Sequence, residues 1–152
     1  MTFTLSSSVL SNKLGILAKV INSKNSLSIL DSFLFSVDGE TLTVTASDNN
    51  NMMKCFIPLT NASGQGAFCV SNKLILNAVK ELAEQPLTFE VDDNSNGIKI
   101  VYQNGSYSIM GQSADEYPNM QQISDGYTET QISASALANP SNPCSSYSFI
   151  HF

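Results

Sequence analysis

The sequence has 152 residues, of which 42% are hydrophobic and 13% are charged. This composition predicts a folded domain with a buried core and excludes a disordered chain. Seven basic residues, all of them lysines, are outnumbered by thirteen acidic ones, and the resulting charge of −6 argues by itself against a nucleic-acid-binding protein.

The first predicted unit begins with a short strand, residues 3–5, which leads through Ser6 into a helix over residues 8–22. Ser6 suits the start of a helix because a serine hydroxyl accepts a hydrogen bond from a free N–H of the first turn. The helix has an apolar stripe at helical spacing, formed by Leu10, Leu14, Leu17 and Ile21. Alternating apolar residues then predict three strands, at residues 33–37, 41–47 and 52–57.

A second unit repeats this order, with a strand over residues 67–70, a serine at Ser71 and a helix over residues 72–83. The predicted buried side of this helix consists of Leu74, Ile75, Ala78, Val79 and Leu82. Three more strands are predicted at residues 87–91, 98–102 and 107–110. The repeat predicts an α+β fold of two βαβββ units, in which two helices pack on antiparallel sheets.

A third unit starts at about residue 127 and is not completed. Residues 130–132 again resemble a strand that leads into a serine, here Ser133. Pro140 and Pro143 then stop the helix, and the following residues resemble no strand of the first two units. The sequence therefore predicts one domain over residues 1–126, followed over residues 127–152 by the truncated start of a second domain with an aberrant tail.

Five of the seven lysines lie on or beside the two predicted helices, namely Lys13, Lys19, Lys24, Lys73 and Lys80. At about 100° per residue, Lys73 and Lys80 project from the side of their helix opposite its apolar stripe. Residues 1–30 contain no acidic residue, whereas a solvated helix face ordinarily mixes both signs of charge. This pattern favours a helix layer that faces phosphates; the open alternative is that lysines simply occupy exposed helix faces.

Catalytic and metal sites are not predicted. The single histidine, His151, lies next to the last residue, so a Ser-His-Asp or Cys-His centre is not expected. The three cysteines lack CxxC spacing, which indicates free thiols in a reducing cytoplasm, with no metal and no cofactor. The adjacent acids Asp92-Asp93 and Asp115-Glu116 are explained by a turn and a loop. Neither a signal peptide nor a membrane span is predicted.

Several segments resemble the bacterial sliding clamp family, the β subunit of DNA polymerase III, in their order and spacing. They are Phe3-Thr4-Leu5 with its serine-led helix, and residues 25–30 (NSLSIL), 42–48 (LTVTASD), 85–91 (QPLTFEV) and 114–118 (ADEYP). The match covers residues 1–139 and is similar to the amino-terminal domain of that family. Ser28 and Asn49-Asn50 depart from the residues usual in the family.

The resemblance implies a DNA-clamp fold. In that family each protomer has three similar domains, and two protomers close into a homodimeric ring whose helices line a pore around duplex DNA. The clamp is not an enzyme; it tethers the replicative polymerase to its template. The implied partners are duplex DNA read without sequence preference, the DNA polymerase and the clamp loader, in the cytoplasm and away from membranes.

The resemblance also implies site residues. The DNA-contacting residues would be Lys24, Lys73, Lys80 and, with weaker support, Lys13. The hairpin over residues 98–110 resembles the sheet edge that pairs with the other protomer, with Ile98, Ile100, Tyr102, Tyr107 and Ile109 at the interface. Because the ring and the peptide-binding groove need the later domains, this chain is expected neither to close a ring nor to bind clamp-binding peptides strongly. The open alternatives are an ordinary exposed hairpin and, for the whole chain, an acidic α+β protein-interaction module with no nucleic-acid role.

Overall fold

The computed structural model describes residues 1–21, 25, 27–48, 50–92 and 94–118, together with the backbone of residues 148–151. The first repeat unit contains, in chain order, β1 (Thr2–Ser6), α1 (Ser7–Leu17), β2 (Ser32–Asp38), β3 (Thr41–Ser47), β4 (Asn51–Pro58) and β5 (Asn61–Ser63). The second unit contains β6 (Gly66–Ser71), α2 (Asn72–Lys80), β7 (Pro86–Asp92), β8 (Gly97–Tyr102), β9 (Gly105–Met110) and β10 (Gln112–Ser113). Short 3-10 helices cover Ser28–Asp31 and Ala114–Glu116, and a last strand, β11, covers Ser148–His151.

Both helices end earlier than the sequence predicted. After α1, the N–H groups of Lys19 and Val20 donate to the carbonyls three residues back, at 3.1 and 3.0 Å, which tightens the chain into a turn. The helix therefore ends at Leu17 and does not continue to residue 22. In the second unit α2 ends at Lys80, three residues before the predicted end at residue 83. The strands β5 and β10 are additional to the predicted ones.

The two units exchange their first strands. One sheet has the order β5-β1-β7-β8-β9 and the other the order β10-β6-β2-β3-β4-β11, with every pair antiparallel. Thus β1 joins the three-stranded meander of the second unit, and β6 joins that of the first. The arrangement gives each half of the domain the same layout and confirms the predicted α+β fold of two helices on antiparallel sheets.

Four phenylalanines at the centre of the core show the symmetry of the repeat. Phe3 stacks on Phe89, with ring centroids 4.9 Å apart, and Phe35 stacks on Phe68 at 5.3 Å. Each pair is also a register pair between an exchanged strand and its host sheet. The two stacks meet at centroid distances of 6.4 Å, a separation typical of favourable aromatic contacts. All four rings are buried, so they join the sheets into one core.

The two helices lie side by side on this core. Leu10, Leu14 and Leu17 of α1 are fully buried, and α2 contributes Ile75 and Val79. Leu74 was predicted to be buried, but 43% of it is exposed. It lies about 100° around the helix from Ile75, on the flank of α2, because each residue turns the helix by that angle.

The predicted third unit lies largely outside the described residues. Within it, the backbone of β11 pairs antiparallel with the outer edge of β4, so the tail does contain a strand, contrary to the reading of the sequence. Before it, Tyr117 is buried in a small second cluster with Ile29, Leu30, Met52 and Cys69. Across the described part of the chain, no helix has the length and apolar character needed to cross a membrane.

Candidate nucleic-acid interface

The helix layer of the domain carries no acidic residue. Neither α1 (SSVLSNKLGIL) nor α2 (NKLILNAVK) contains Asp or Glu, whereas α1 carries Lys13 and α2 carries Lys73 and Lys80. Lys19 follows in the turn after α1 and is exposed. An acid-free pair of neighbouring helices therefore presents only positive charge within its helical residues, as a phosphate-facing surface requires.

Serine side chains fix the position of the two helices relative to each other. Ser6 caps α1, accepting a hydrogen bond from the Val9 N–H at 3.3 Å. The buried Ser7 hydroxyl donates to the Ala83 carbonyl at 2.8 Å and accepts from the Gln85 N–H at 3.0 Å. The Ser7 N–H also donates to the Gln85 carbonyl at 2.9 Å. The first turn of α1 is thus bonded to the segment that follows α2.

Lys73 and Lys80 occupy one exposed stripe of α2. Both are exposed, and both point away from the buried Ile75 and Val79. Seven residues separate them, so their Cα atoms lie about 10 Å apart along the helix axis. Lys80 is in the last turn, where its charge also interacts favourably with the helix dipole. The structure therefore brings this predicted pair together on one surface.

Asn77 belongs to the same stripe and was not singled out from the sequence. It is exposed, and at 200° from Ile75 it lies on the side of α2 that carries the two lysines. An amide N–H₂ group can donate to a phosphate oxygen. The signal for it was available in the spacing of residues 73, 77 and 80, which is i, i+4, i+7.

Lys13 occupies a different environment from the lysines of α2. It is half-buried at the flank of α1, and its charge acts on the Cys55 thiol of β4. Burial raises the pKa of Cys55 to about 11, and the positive charge of Lys13 offsets part of that rise. Lys13 is therefore close enough to β4 for its charge to act on Cys55, and it belongs to the other helix from Lys73 and Lys80. Lys24, also predicted to contact DNA, lies outside the described residues.

Two acids follow α2: Glu81 is its exposed C-cap residue, and Glu84 is engaged in hydrogen bonds. Glu84 accepts a hydrogen bond from the Ser6 hydroxyl at 2.7 Å. Hydrogen bonds from Ser8 and Ser6 hold the pKa of the Glu84 carboxyl below its ordinary value. This carboxylate thus stays charged at the amino-terminal end of α1, where the helix dipole favours an anion.

The remaining described acids belong mainly to sheets and turns. Glu90 on β7 forms an ion pair with Lys99 on β8 at 3.2 Å. Asp92 accepts hydrogen bonds from the Ser95 hydroxyl and the Asn94 N–H. These bonds lower the pKa of the Asp92 carboxyl, and the bond from Ser95 has the larger effect. Asp115 is bonded to Ser113 in a similar turn. These local bonds give the acids structural roles. Within the described ranges, no group of three or more His, Cys, Asp and Glu side chains is placed to hold a metal ion.

The predicted interface residues divide into two groups. Ile98, Ile100 and Ile109 are 2%, 1% and 7% exposed and belong to the core of this domain, so their side chains cannot cover a neighbouring protomer as they stand. Tyr102 is half-buried against the same core, whereas Tyr107 is 41% exposed. Strand β8 lies between β7 and β9, so only β9 forms a sheet edge there. The surface left for an interface is the backbone of β9 with Tyr107.

A sequence profile of the family described as DNA polymerase III beta subunit, N-terminal domain, matches residues 1–121. The chain is 26% identical over 129 residues to the beta sliding clamp of Halalkalibacterium halodurans, a match that covers 79% of this chain and 33% of that protein. The chain thus spans about a third of the length of this curated relative.

Solved structures share the fold. The beta subunit of DNA polymerase from Streptococcus pyogenes superposes with a TM-score of 0.76 at 19% identity, over 84% of this chain and 34% of that chain. The Helicobacter pylori beta clamp, in a crystal structure with a DNA ligase peptide bound, gives a TM-score of 0.74 at 24% identity, over 81% of this chain and 34% of that one. At these identities the likeness establishes the architecture of two sheets and two helices.

Proposed function

The chain belongs to the DNA polymerase III beta subunit family, whose N-terminal domain it matches, and from this membership we propose that it serves as the first domain of a sliding clamp. Such a clamp is a non-catalytic processivity factor that encircles duplex DNA and keeps the polymerase on its template. In this role the α1–α2 layer faces the DNA and the sheets face away from it. The site of action is the cytoplasm.

The observation that carries the proposal is the separation of charge between helices and sheets. The chain as a whole has a charge of −6, yet α1 and α2 contain lysines and no acid. Phosphate attraction depends on the local field and not on the net charge, so a net acidic domain can present a positive face. Lysine suits a sliding contact because its ammonium is a point charge and does not grip a phosphate with two parallel bonds, as arginine does.

We assign graded roles to the four lysines. Lys73 and Lys80, exposed on one stripe of α2, are the main phosphate contacts, with Asn77 between them as a neutral donor. Lys24 is a further contact, on the strength of its position in the sequence alone. Lys13 contributes mainly to the field, since it is half-buried and its charge acts on Cys55 of β4.

The proposed partners follow from the same family membership. Duplex DNA is bound through its phosphates, independently of base sequence. The polymerase, the clamp loader and a second protomer engage a full-length clamp; the match to this chain covers 33% of the Halalkalibacterium halodurans clamp. In the closed ring the edge strand β9, with Tyr107, is the side of this domain that meets the other protomer.

A titration with duplex DNA tests the proposed surface on the chain itself. Isotope-labelled protein is titrated at about 20–50 mM salt with a duplex of arbitrary sequence, and the amide signals are followed by NMR. We expect the shifts to concentrate on α1, α2 and the turn after α1. The affinity is weak, because two to four phosphate contacts give less than the 6–10 contacts of a strong non-specific binder.

Two matched double variants distinguish the effect of charge on the helix layer from the effect of the net charge of the chain. Lys73→Gln/Lys80→Gln and Lys54→Gln/Lys99→Gln each remove two positive charges, but only the first pair lies on the helix layer. In the first variant, log K is expected to fall less steeply with log salt: the magnitude of the slope should decrease by about 1.8, that is about 0.9 for each phosphate contact removed. The second is expected to leave the slope unchanged. Equal losses in both variants, or shifts confined to the sheets, contradict the proposal and favour a protein-interaction module.

A chimera tests the ring. Residues 1–118 replace the first domain of the Halalkalibacterium halodurans clamp, and processive synthesis is measured on a primed circular template. Retained processivity that falls with Lys73→Gln/Lys80→Gln supports the assigned role. A well-folded, dimeric chimera that gives no processivity contradicts it.

A further inference from the structure

Strand β11 covers part of the outer edge of the sheet that contains β4. The two strands pair antiparallel, and the register sets Ser148 opposite Lys54 and Ile150 opposite Met52. Without β11, β4 would be the last strand of that sheet. An exposed row of backbone N–H and C=O groups is a template for an extended chain, so this edge is open to other strands whenever β11 is away from it.

The hydrogen bonds at the two ends of the β3–β4 ladder fix which backbone groups of β4 face outwards. At one end the Asp48 N–H donates to the Asn51 carbonyl at 2.9 Å. At the other end the Leu59 N–H donates to the Glu40 carbonyl at 2.8 Å. Bonded pairs alternate along an antiparallel ladder, so every second residue of β4, counted from Asn51, is bonded to β3. The residues that turn both N–H and C=O to the outer edge are therefore Met52, Lys54 and Phe56.

The cover that β11 gives to this edge is short. Two of the three outward residues, Met52 and Lys54, have a register partner in β11. Each of these pairs exchanges two hydrogen bonds, so β11 makes about four bonds to the edge. The third, Phe56, lies beyond the end of β11, and its side chain is 55% exposed. Pro58, which has no N–H, closes the edge at that end of β4.

We propose that residues 148–151 are a displaceable, autoinhibitory cover of the β4 edge, and that the freed edge takes an extended strand of another polypeptide. A strand longer than β11 gains the backbone groups and the exposed ring of Phe56, which the cover leaves unused. Such a strand fits best with an acidic or neutral residue opposite Lys54 and an aromatic or β-branched residue opposite Phe56. Because β11 belongs to the same chain, it competes at an effective concentration that a separate strand has to match. The cover acts at β4 alone and does not depend on the proposed DNA-facing role.

Amide exchange of the 152-residue chain tests whether the cover is in place. The N–H groups of Met52 and Lys54 face β11, whereas those of Met53 and Cys55 face β3. Ile150→Pro removes an N–H that faces Met52 and weakens the cover. We expect the first two amides to exchange about threefold faster or more in this variant, and the last two to exchange as before.

A synthetic peptide of residues 145–152 (SSYSFIHF) tests the freed edge. It should bind the Ile150→Pro chain and shift the amide signals of β4, with a Kd of about 1 mM, the affinity that about four net hydrogen bonds supply. Binding to the unsubstituted chain should be weaker by the same factor as the change in exchange rate, because both quantities report the fraction of chains whose β11 is away. N-methylation of the peptide at Ile150 removes an N–H that faces β4 and should abolish binding. N-methylation at Phe149 is the matched control, since that N–H faces away from β4.

The pair of Lys54 and Ser148 tests the register. Ser148→Glu should slow exchange of the Met52 and Lys54 amides by about twofold to fivefold, the effect of a cross-strand pair of opposite charges. Ser148→Lys should speed it, because two like charges then lie opposite each other. Combining Ser148→Lys with Lys54→Glu should restore the slow exchange.

Each measurement has a result that would overturn the proposal. Equal exchange of the Met52 and Lys54 amides in the unsubstituted chain and in Ile150→Pro would show that β11 does not cover the edge, as would equal effects of Glu and Lys at position 148. A peptide that does not bind the Ile150→Pro chain, or two N-methylated peptides that bind equally, would show that the freed edge takes no strand. Exchange rates that change with protein concentration would show that the strand on β4 comes from a second copy and is not an internal cover.

Discussion

Replacing Ser7 by alanine is predicted to destabilise the domain by about 2 kcal/mol. Ser7 is 1% exposed, and its hydroxyl makes two hydrogen bonds that join the start of α1 to the segment after α2. Each hydrogen bond contributes about 1 kcal/mol net, and the Ala83 carbonyl and Gln85 N–H would lose their partner. Both partners lie in a partly buried region, where water can reach them, so the larger penalty of a fully buried orphan does not apply.

Urea unfolding measures this loss, with Ser8→Ala as the matched control. Ser8 is the next residue of the helix; its hydroxyl lies 3.1 Å from that of Ser6 and bonds to the exposed Glu84 carboxylate, where water can replace it. With an m-value of 1–3 kcal/mol per molar urea, a loss of about 2 kcal/mol lowers the Ser7→Ala midpoint by roughly 1 M. The control should shift by less than about 0.3 M. Equal midpoints for the two variants would refute the view that Ser7 joins the helix layer together.

A second consequence of the Ser7 bonds concerns amide exchange. The Gln85 N–H donates to the Ser7 hydroxyl, so its exchange with solvent should be faster in Ser7→Ala than in Ser8→Ala. This measurement separates a local loss of the bond from a general loss of stability, which would speed the exchange of core amides as well.

Further predictions concern glycines and thiols. Gly15→Ala should raise Tm by about 2–4 °C, since a Cβ there meets nothing within 4 Å and alanine is the better helix former. Gly111→Ala should lower Tm by a similar or larger amount, since its Cβ would lie 2.9 Å from the Cys69 carbonyl oxygen and 3.1 Å from that of Asn96. Burial raises the pKa of Cys55 to about 11 and that of Cys69 to about 12, from an ordinary 9.0. The stability that the two protonated thiols give the folded state is therefore fully present below pH 9. It is lost as the pH rises, by about 2–3 kcal/mol per pH unit for both thiols together. Between pH 8 and pH 10 the urea midpoint should therefore fall less steeply for Cys55→Ala/Cys69→Ala than for the unsubstituted protein. An equal fall of the midpoint in both proteins would contradict the assignment of the pH dependence to these thiols.

The elements of the fold were largely readable from local sequence. Alternation of apolar residues located the strands of both units, and serines at positions 6 and 71 marked the helix starts. The helix ends were less readable, because a turn of three residues after Leu17 and a helical continuation have similar local sequence preferences. Leu74 shows a related limit, since an apolar residue beside a buried stripe can be half exposed at little cost.

The candidate site was predicted in composition but not in geometry. The acid-free character of the helices and the shared stripe of Lys73 and Lys80 followed from the sequence and the helical period. The half-buried environment of Lys13 depends on how α1 packs against β4, which no local pattern encodes. The same holds for Ile98, Ile100 and Ile109, which the resemblance assigned to an interface and packing assigned to the core.

The sequence by itself determined the elements, the repeat and the contrast between lysine-bearing helices and acidic sheets, because these depend on residue type and on periods of two and 3.6 residues. Only the tertiary structure decided that each unit lends its first strand to the other. Strand pairing between residues 80 positions apart, such as Ser6 with Pro86, is selected by the packing of four phenylalanines in one core and leaves no local signal.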